Sequence, residues 1–169
     1  MKSNFEVIGR NAYVEFIGHT DKVPAKVDTG ADSSAVWATQ IRMDEDHRLH
    51  FVLFDKGSPY YTGEEIIVEN YNVSRVRSSS GHTQIRYRAV LSIRVAGRRV
   101  KASFTLADRS KNIFPVLIGR RTLAKRFVVD VAKAECVNSI PEKTQKLNEE
   151  LKEDPYAFYK KYHQNSEEE

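Results

Sequence analysis

A single cysteine, Cys136, and a single tryptophan, Trp37, occur in this chain of 169 residues. One thiol excludes an internal disulfide framework and suits a reducing compartment. No apolar stretch approaches the length needed to cross a membrane, and Met1-Lys2-Ser3-Asn4-Phe5 lacks the apolar run of a signal peptide. There is no Gly-x-x-x-x-Gly-Lys-Ser/Thr loop to cradle the phosphates of ATP. Nor is there a His-Glu-x-x-His pair to hold zinc. No internal repeat or low-complexity linker divides the chain. These absences set the expectation of one cytoplasmic domain with no membrane partner, no cofactor and no metal.

What is present is 40% hydrophobic and 30% charged residues, enough apolar material for a real core. The net charge of +4 is mild, but its distribution is uneven. From Asn70 to Ala107 there is no acidic residue, while Arg75, Arg77, Arg86, Arg88, Arg94, Arg98, Arg99 and Lys101 all fall there. From Glu142 onward the chain is rich in Glu and Lys and ends in Glu167-Glu168-Glu169.

Short alternating or β-branched runs dominate. Strands are predicted at Ala12 to Ile17, Val23 to Val27, Leu49 to Phe54, Ile66 to Val68, Val100 to Leu106 and Phe127 to Val131. Gln84 to Val95 alternates cleanly, with Ile85, Tyr87, Ala89, Leu91, Ile93 and Val95 on one face and Arg86, Arg88, Ser92 and Arg94 on the other. Turn signals stand at Gly57-Ser58-Pro59, Ser78 to Gly81 and Ala96-Gly97. Many short strands with Gly-bearing turns predict an all-β barrel or sandwich. Helical signals are confined to Arg120–Arg126 and the end of the chain. Ser139-Ile140-Pro141-Glu142 reads as a capping box opening a helix to about Lys152, and Asp154-Pro155 starts a second. The expected division is a barrel over residues 1–135 and a helical extension with a frayed tail over residues 136–169.

Two segments carry chemistry. In Ala25-Lys26-Val27-Asp28-Thr29-Gly30-Ala31-Asp32-Ser33-Ser34, a strand delivers one carboxylate, and Gly30 permits a tight turn and close approach of another chain. By itself Asp-Thr-Gly is also what an ordinary polar turn looks like. The second segment, Phe114-Pro115-Val116-Leu117-Ile118-Gly119-Arg120-Arg121-Thr122-Leu123, gives a buried apolar strand, a glycine and a short helix. Together, in this order, they resemble the retropepsin-like aspartic peptidases, residue by residue at Val27 to Asp32 and Leu117 to Arg120. More narrowly, from about Val7 to Val131 the chain is similar to a bacterial family often labelled ATP-dependent zinc protease and associated with a ribosomal-protein glutamate ligase. His19-Thr20-Asp21, Val76 to Gly81 and Leu106-Ala107-Asp108-Arg109 extend that similarity. Neither half of the label finds a motif here.

The resemblance implies a closed acid-protease barrel with one short helix after the Gly-Arg motif. It implies a homodimer in which Asp28 of each copy forms one catalytic pair acting on a peptide or protein substrate. Thr29 would lock the two loops together, Gly30 would offer its carbonyl to the substrate, and Asp32 would be held by Arg120. Ala31 and Gly119 complete the supporting loop. A hairpin from Arg75 to Arg88, with Arg77, Ser79, Ser80 and Gly81 near its tip, is the expected flap; the alternative is an ordinary flexible loop at Ser78 to Gly81. The extra length relative to viral enzymes falls between Asp44 and Tyr71.

Several readings stay open. The basic face is a solvated sheet face, a receptor for acidic peptides or, least favoured, a nucleic-acid surface without a recognisable motif. Trp37 lines a pocket or packs in the core. Asp44-Glu45-Asp46-His47 with His50 reads as a surface loop rather than a cation site, and Cys136 as structural. The tail covers, replaces or blocks the dimer edge. The alternative to an active endopeptidase is a catalytically silent module that binds or regulates an acidic peptide or nucleic-acid partner.

Overall fold

A computed structural model describes residues 4–77, 80–136 and 142–164. The chain divides into two compact units, Met1–Cys136 and Val137–Glu169. The first is built of strands β1 (Glu6–Gly9), β2 (Asn11–Phe16), β3 (Thr20–Val27), β4 (Ser34–Met43), β5 (Leu49–Leu53), β6 (Glu65–Val68), β7 (Tyr71–Arg77), β8 (Thr83–Val95), β9 (Arg98–Ala107), β10 (Val116–Ile118) and β11 (Phe127–Asp130), with helix α1 (Arg120–Leu123) between the last two.

The order β10-β3-β2-β8-β9-β4 closes on itself, because β10 pairs with both β3 and β4. The result is the expected retropepsin-like barrel of six strands. Closure removes the free edges of those strands. The side chains turned inward fill the interior: Phe16, Phe51, Phe54 and Phe104 are fully buried, with Phe16 5.5 Å from Phe104 and 6.3 Å from Phe54 between ring centroids. A separate pair, β1 and β11, runs parallel in register from Glu6↔Phe127 to Gly9↔Asp130.

Two elements depart from the sequence-based expectation. The strand β4 has no clean alternation: Ser34, Ala35, Val36 and Ala38 are buried and Trp37 half-buried, with Ser34 meeting Thr122 of α1. A strand covered on both faces has no solvent face to encode. In β8 the alternation is real, yet Ile85 is 73% exposed. Only residues from Arg88 onward pair with β9; Thr83 to Tyr87 pair with β7 alone, in an arm extending beyond the barrel. Period two identifies two faces of a strand, not whether either meets a core.

The extra length between Asp44 and Tyr71 forms β5 and β6, which extend the sheet from β4. Here His50 is buried rather than part of a solvated loop. Its Nε2 lies 2.8 Å from Asp44 Oδ2 and its Nδ1 3.2 Å from Glu65 Oε2, while Arg48 Nε donates to Asp44 at 2.8 Å. The hydrogen bond from His50, then those from the Arg48 backbone and side chain, hold the Asp44 carboxyl far below the usual carboxylate range.

The second unit contains α2 (Glu142–Glu153) and α3 (Pro155–Tyr162). Asp154 caps α3 by accepting from the amides of Tyr156 and Ala157, with Pro155 in the first turn as expected. Lys161 Nζ and Tyr162 Oη both reach Glu150, at 2.6 and 3.0 Å. The Ser139-Ile140-Pro141 cap and the frayed tail lie outside the described residues.

A carboxyl depressed by folding stabilises the native state above its unfolded pKa of about 3.9, and that stability disappears as pH falls through the folded value. Asp44→Asn is therefore expected to lower the urea midpoint at pH 7, with the difference from wild type shrinking as the pH is taken below about 4. Unfolding curves across a pH series check this.

Candidate active site

The two chemical segments meet because β10 runs parallel to β3, with Val116, Leu117 and Ile118 opposite Ala25, Lys26 and Val27. The last rung of this ladder is the Asp28 amide donating to the Ile118 carbonyl at 2.9 Å. Beyond it the chain turns back on itself. Asp28 Oδ1 accepts from the amides of Gly30 and Ala31 at 3.1 and 3.2 Å. The other oxygen, Oδ2, lies 3.3 Å from Lys26 Nζ.

The loop is fastened to α1 by its backbone. The Arg120 amide donates to the Ala31 carbonyl at 2.8 Å, and that of Arg121 to the Asp32 carbonyl at 3.2 Å. Such contact requires glycine at 119: a Cβ there would stand 2.5 Å from the Ser33 carbonyl carbon and oxygen. Buried hydroxyls finish the joint. Ser34 Oγ accepts from the Gly119 amide at 3.0 Å and lies 2.7 Å from Thr122 Oγ1, while Thr105 Oγ1 donates to the Ser34 carbonyl at 3.3 Å.

Partial burial pushes the Asp28 carboxyl up. The Lys26 ammonium and the two amides outweigh it, and the group stands below its ordinary value. Asp32 is bound by two arginines, not by Arg120 alone: Arg121 Nη2 lies 2.8 Å from Oδ2 and Arg120 Nη2 3.4 Å from Oδ1. All three side chains are more than half exposed, so these pairs orient the loop more than they stabilise the fold.

Beside this loop is a cleft of about 480 Å³, walled by Gly30 to Ser33 on one side and by the β7–β8 arm on the other. Arg75, Arg77, Arg86, Arg88, Arg109 and Arg121 line it, against Asp32. Two of the β8 arginines that read as a solvated face, Arg86 and Arg88, are thus walls of the cleft, while Arg94 pairs with Glu15. Arg88 Nε is buried without a hydrogen-bond partner. Burial and then the neighbouring Arg86 lower the pKa of the Arg109 guanidinium, against the opposing influence of Asp28. Its Nε donates to the Phe114 carbonyl at 3.1 Å.

Of the expected flap residues, Arg77 closes the last rung of the hairpin opposite Thr83 and Gly81 turns with φ +85°. Ser80 belongs to the same turn, and Ser79 lies outside the described residues. Thr29 is exposed on the loop. Trp37 packs edge-on against Phe54 at 6.4 Å, away from this loop. Cys136 is buried, its amide donating to Asn11 Oδ1 at 2.8 Å, and burial pushes its thiol up.

A six-strand barrel presenting an Asp-Thr-Gly loop against a Gly-Arg helix defines the class as retropepsin-like. The chain belongs to the RimB-like family, described as retropepsin-like aspartic endopeptidase RimB, whose profile matches residues 7–139. It is also similar to proteins named probable alpha-L-glutamate ligase from Shewanella pealeana and Shewanella halifaxensis, each 27% identical over 143 residues. Those matches take in 81% of this chain but only 31% of either relative, so the chain spans about a third of their length. Among solved structures, a Legionella pneumophila protein of unknown function (DUF785) superposes with a TM-score of 0.61. It is 21% identical, and the match covers 78% of this chain and 97% of that one; the likeness is one of fold.

Gly119→Ala should displace the Asp28 loop. The expected cost is roughly 1–3 kcal/mol of stability, as for other overpacked sites, measured by denaturant unfolding. Loss of the Ala31–Arg120 hydrogen bond should accompany it, measured by amide exchange.

Proposed function

We propose that the chain is an aspartic endopeptidase that works as a homodimer, with one Asp28 from each copy. The observation that carries this reading is the setting of Asp28. One carboxylate oxygen is held by two backbone amides, the loop is fastened to α1, and the other oxygen meets only an exposed lysine.

Two carboxyls brought within about 3 Å share one proton, since both cannot remain ionised at that distance. The ionised partner takes a proton from a water molecule, whose oxygen attacks the scissile carbonyl. The protonated partner gives its proton to the carbonyl oxygen. The tetrahedral intermediate then collapses, the C–N bond breaks and the amine leaves with a proton. One carboxyl per chain makes a two-fold axis between the Asp28 side chains a requirement of this chemistry. The exposed Thr29 is suited to bridge the loops across that axis, and the β7–β8 arm to close over an extended peptide.

The arginine-lined cleft supports a substrate rich in carboxylates, as does the similarity to proteins named as glutamate ligases. Nucleic acid is the weaker partner: no exposed aromatics line the cleft to stack on bases. The lone buried thiol fits a cytoplasmic setting; among the described residues no helix is long and apolar enough to cross a membrane.

Wild-type and Asp28→Asn protein are to be incubated with glutamate-rich and neutral peptides, with products read by mass spectrometry and association by sedimentation. Cleavage should rise with dimer content and fall about a thousandfold or more in Asp28→Asn. It should follow a bell-shaped pH dependence belonging to the pair. Peptide binding without cleavage by a confirmed dimer, unchanged in Asp28→Asn, would favour the silent binding module. Acidic peptides should lose their advantage as salt is raised; a salt-independent preference would count against the arginine cleft as their receptor.

A further inference from the structure

Side chains two apart along a strand point the same way, and Lys26 shares the face of Asp28. Its Nζ lies 3.3 Å from Asp28 Oδ2. The amides of Gly30 and Ala31 occupy Oδ1, so the ammonium sits on the oxygen left for chemistry. The contact is open on the lysine side and partly buried on the other: the side chains of Lys26 and Asp28 are 54% and 27% exposed. Among the described residues no other ion pair holds Lys26. The strands on either side place Asn11 and Leu117 next to it, neither of them charged. Among the described residues, Arg109, from the segment after β9, also acts on Asp28, and Asp32 with Arg120 and Arg121 stands on the same loop.

An ammonium so placed suits a resting arrangement better than a working one. It favours ionisation of the carboxyl it touches, and a pair ionised on both sides has no proton to give to the scissile carbonyl. A peptide crossing the Asp28 pair must pass the neighbouring face position, which is that of Lys26. We propose that Lys26 is a positioning residue that exchanges Asp28 for an acidic side chain of the substrate next to the scissile bond, so that docking of the acidic residue itself releases the catalytic pair. The proposal rests on the endopeptidase reading above. No covalent bond changes in the exchange: one ion pair replaces another, and the Asp28 pair takes up one proton from solvent. The direction is set by the contact. Lys26 lowers the Asp28 carboxyl, so its departure raises it, and the shared proton is kept to higher pH.

The test compares wild type with Lys26→Met and Lys26→Arg in the full chain, in two arms. The first uses peptides identical except for Glu or Gln beside the scissile bond. Wild type should favour Glu by roughly fivefold in kcat/KM at low salt, the upper range for an exposed ion pair. Lys26→Arg should keep the preference. Lys26→Met should lose it, and the alkaline limb of its pH profile on the Gln peptide should move to higher pH. The second arm needs no turnover. The Asp28 carboxyl, assigned with Asp28→Asn, is titrated by carbon-13 NMR with and without an uncleavable reduced-amide Glu peptide. That peptide should raise the titration in wild type, and Lys26→Met should raise it without peptide. A titration indifferent to Lys26→Met, or a Glu preference retained by that variant, overturns the exchange. Titrations that shift as expected in a dimer that cleaves nothing would instead overturn the endopeptidase reading and leave the exchange standing.

Discussion

The Ser34 hydroxyl ties together parts of the chain that are far apart in sequence. It accepts from the Gly119 amide and meets the Thr122 hydroxyl, all inside the protein, where an unpartnered polar group costs about 1–3 kcal/mol. This joint holds the start of β4 against the turn between β10 and α1. β10 in turn lies between β3 and β4 and closes the barrel. The position of Asp28 follows from it, because the Asp28 amide is the next rung of the same ladder. A loop that must keep a carboxylate in place is thus built on backbone hydrogen bonds and two buried hydroxyls, with the exposed Asp32 ion pairs serving only to trim it.

The same construction separates support from reactivity. The residues that fix the loop are small, buried and neutral: Gly119, Ser34, Thr122 and Thr105. The charged residues lining the cleft are instead at least partly exposed, and all but Asp32 are cationic. A charge altered on the cleft side changes the field at Asp28 without loosening the joint. An altered residue in the joint moves the carboxylate itself.

Much of this was legible beforehand where a short-range rule applied. Asp154-Pro155 announced the start of α3, Ala96-Gly97 the tight β8–β9 turn, and Asp28 to Asp32 with Leu117 to Arg120 the pairing of loop and helix. The strand β4 escaped because burial on both sides erases alternation. The second arginine on Asp32 escaped because Arg120 and Arg121 are adjacent in sequence, and only the helix geometry brings both to one carboxylate. Lys26 was visible as the residue two before the aspartate, but sharing a face does not by itself say that two side chains touch. The cleft was least legible of all. Six arginines from β7, β8, α1 and the segment after β9 converge in space, and no spacing in the sequence encodes that convergence.

The arm formed by β7 and β8 has one further property. Among the described residues β7 pairs with β8 alone, so its other side is an open ladder of amides and carbonyls reaching past the closed barrel. Such a strand invites any extended chain to add itself, wanted or not. Arg75 and Arg77 stand on that strand, and two copies meeting edge to edge would set like charges together. The arm is thereby protected from stacking into aggregates, while an extended segment of opposite charge meets no such barrier.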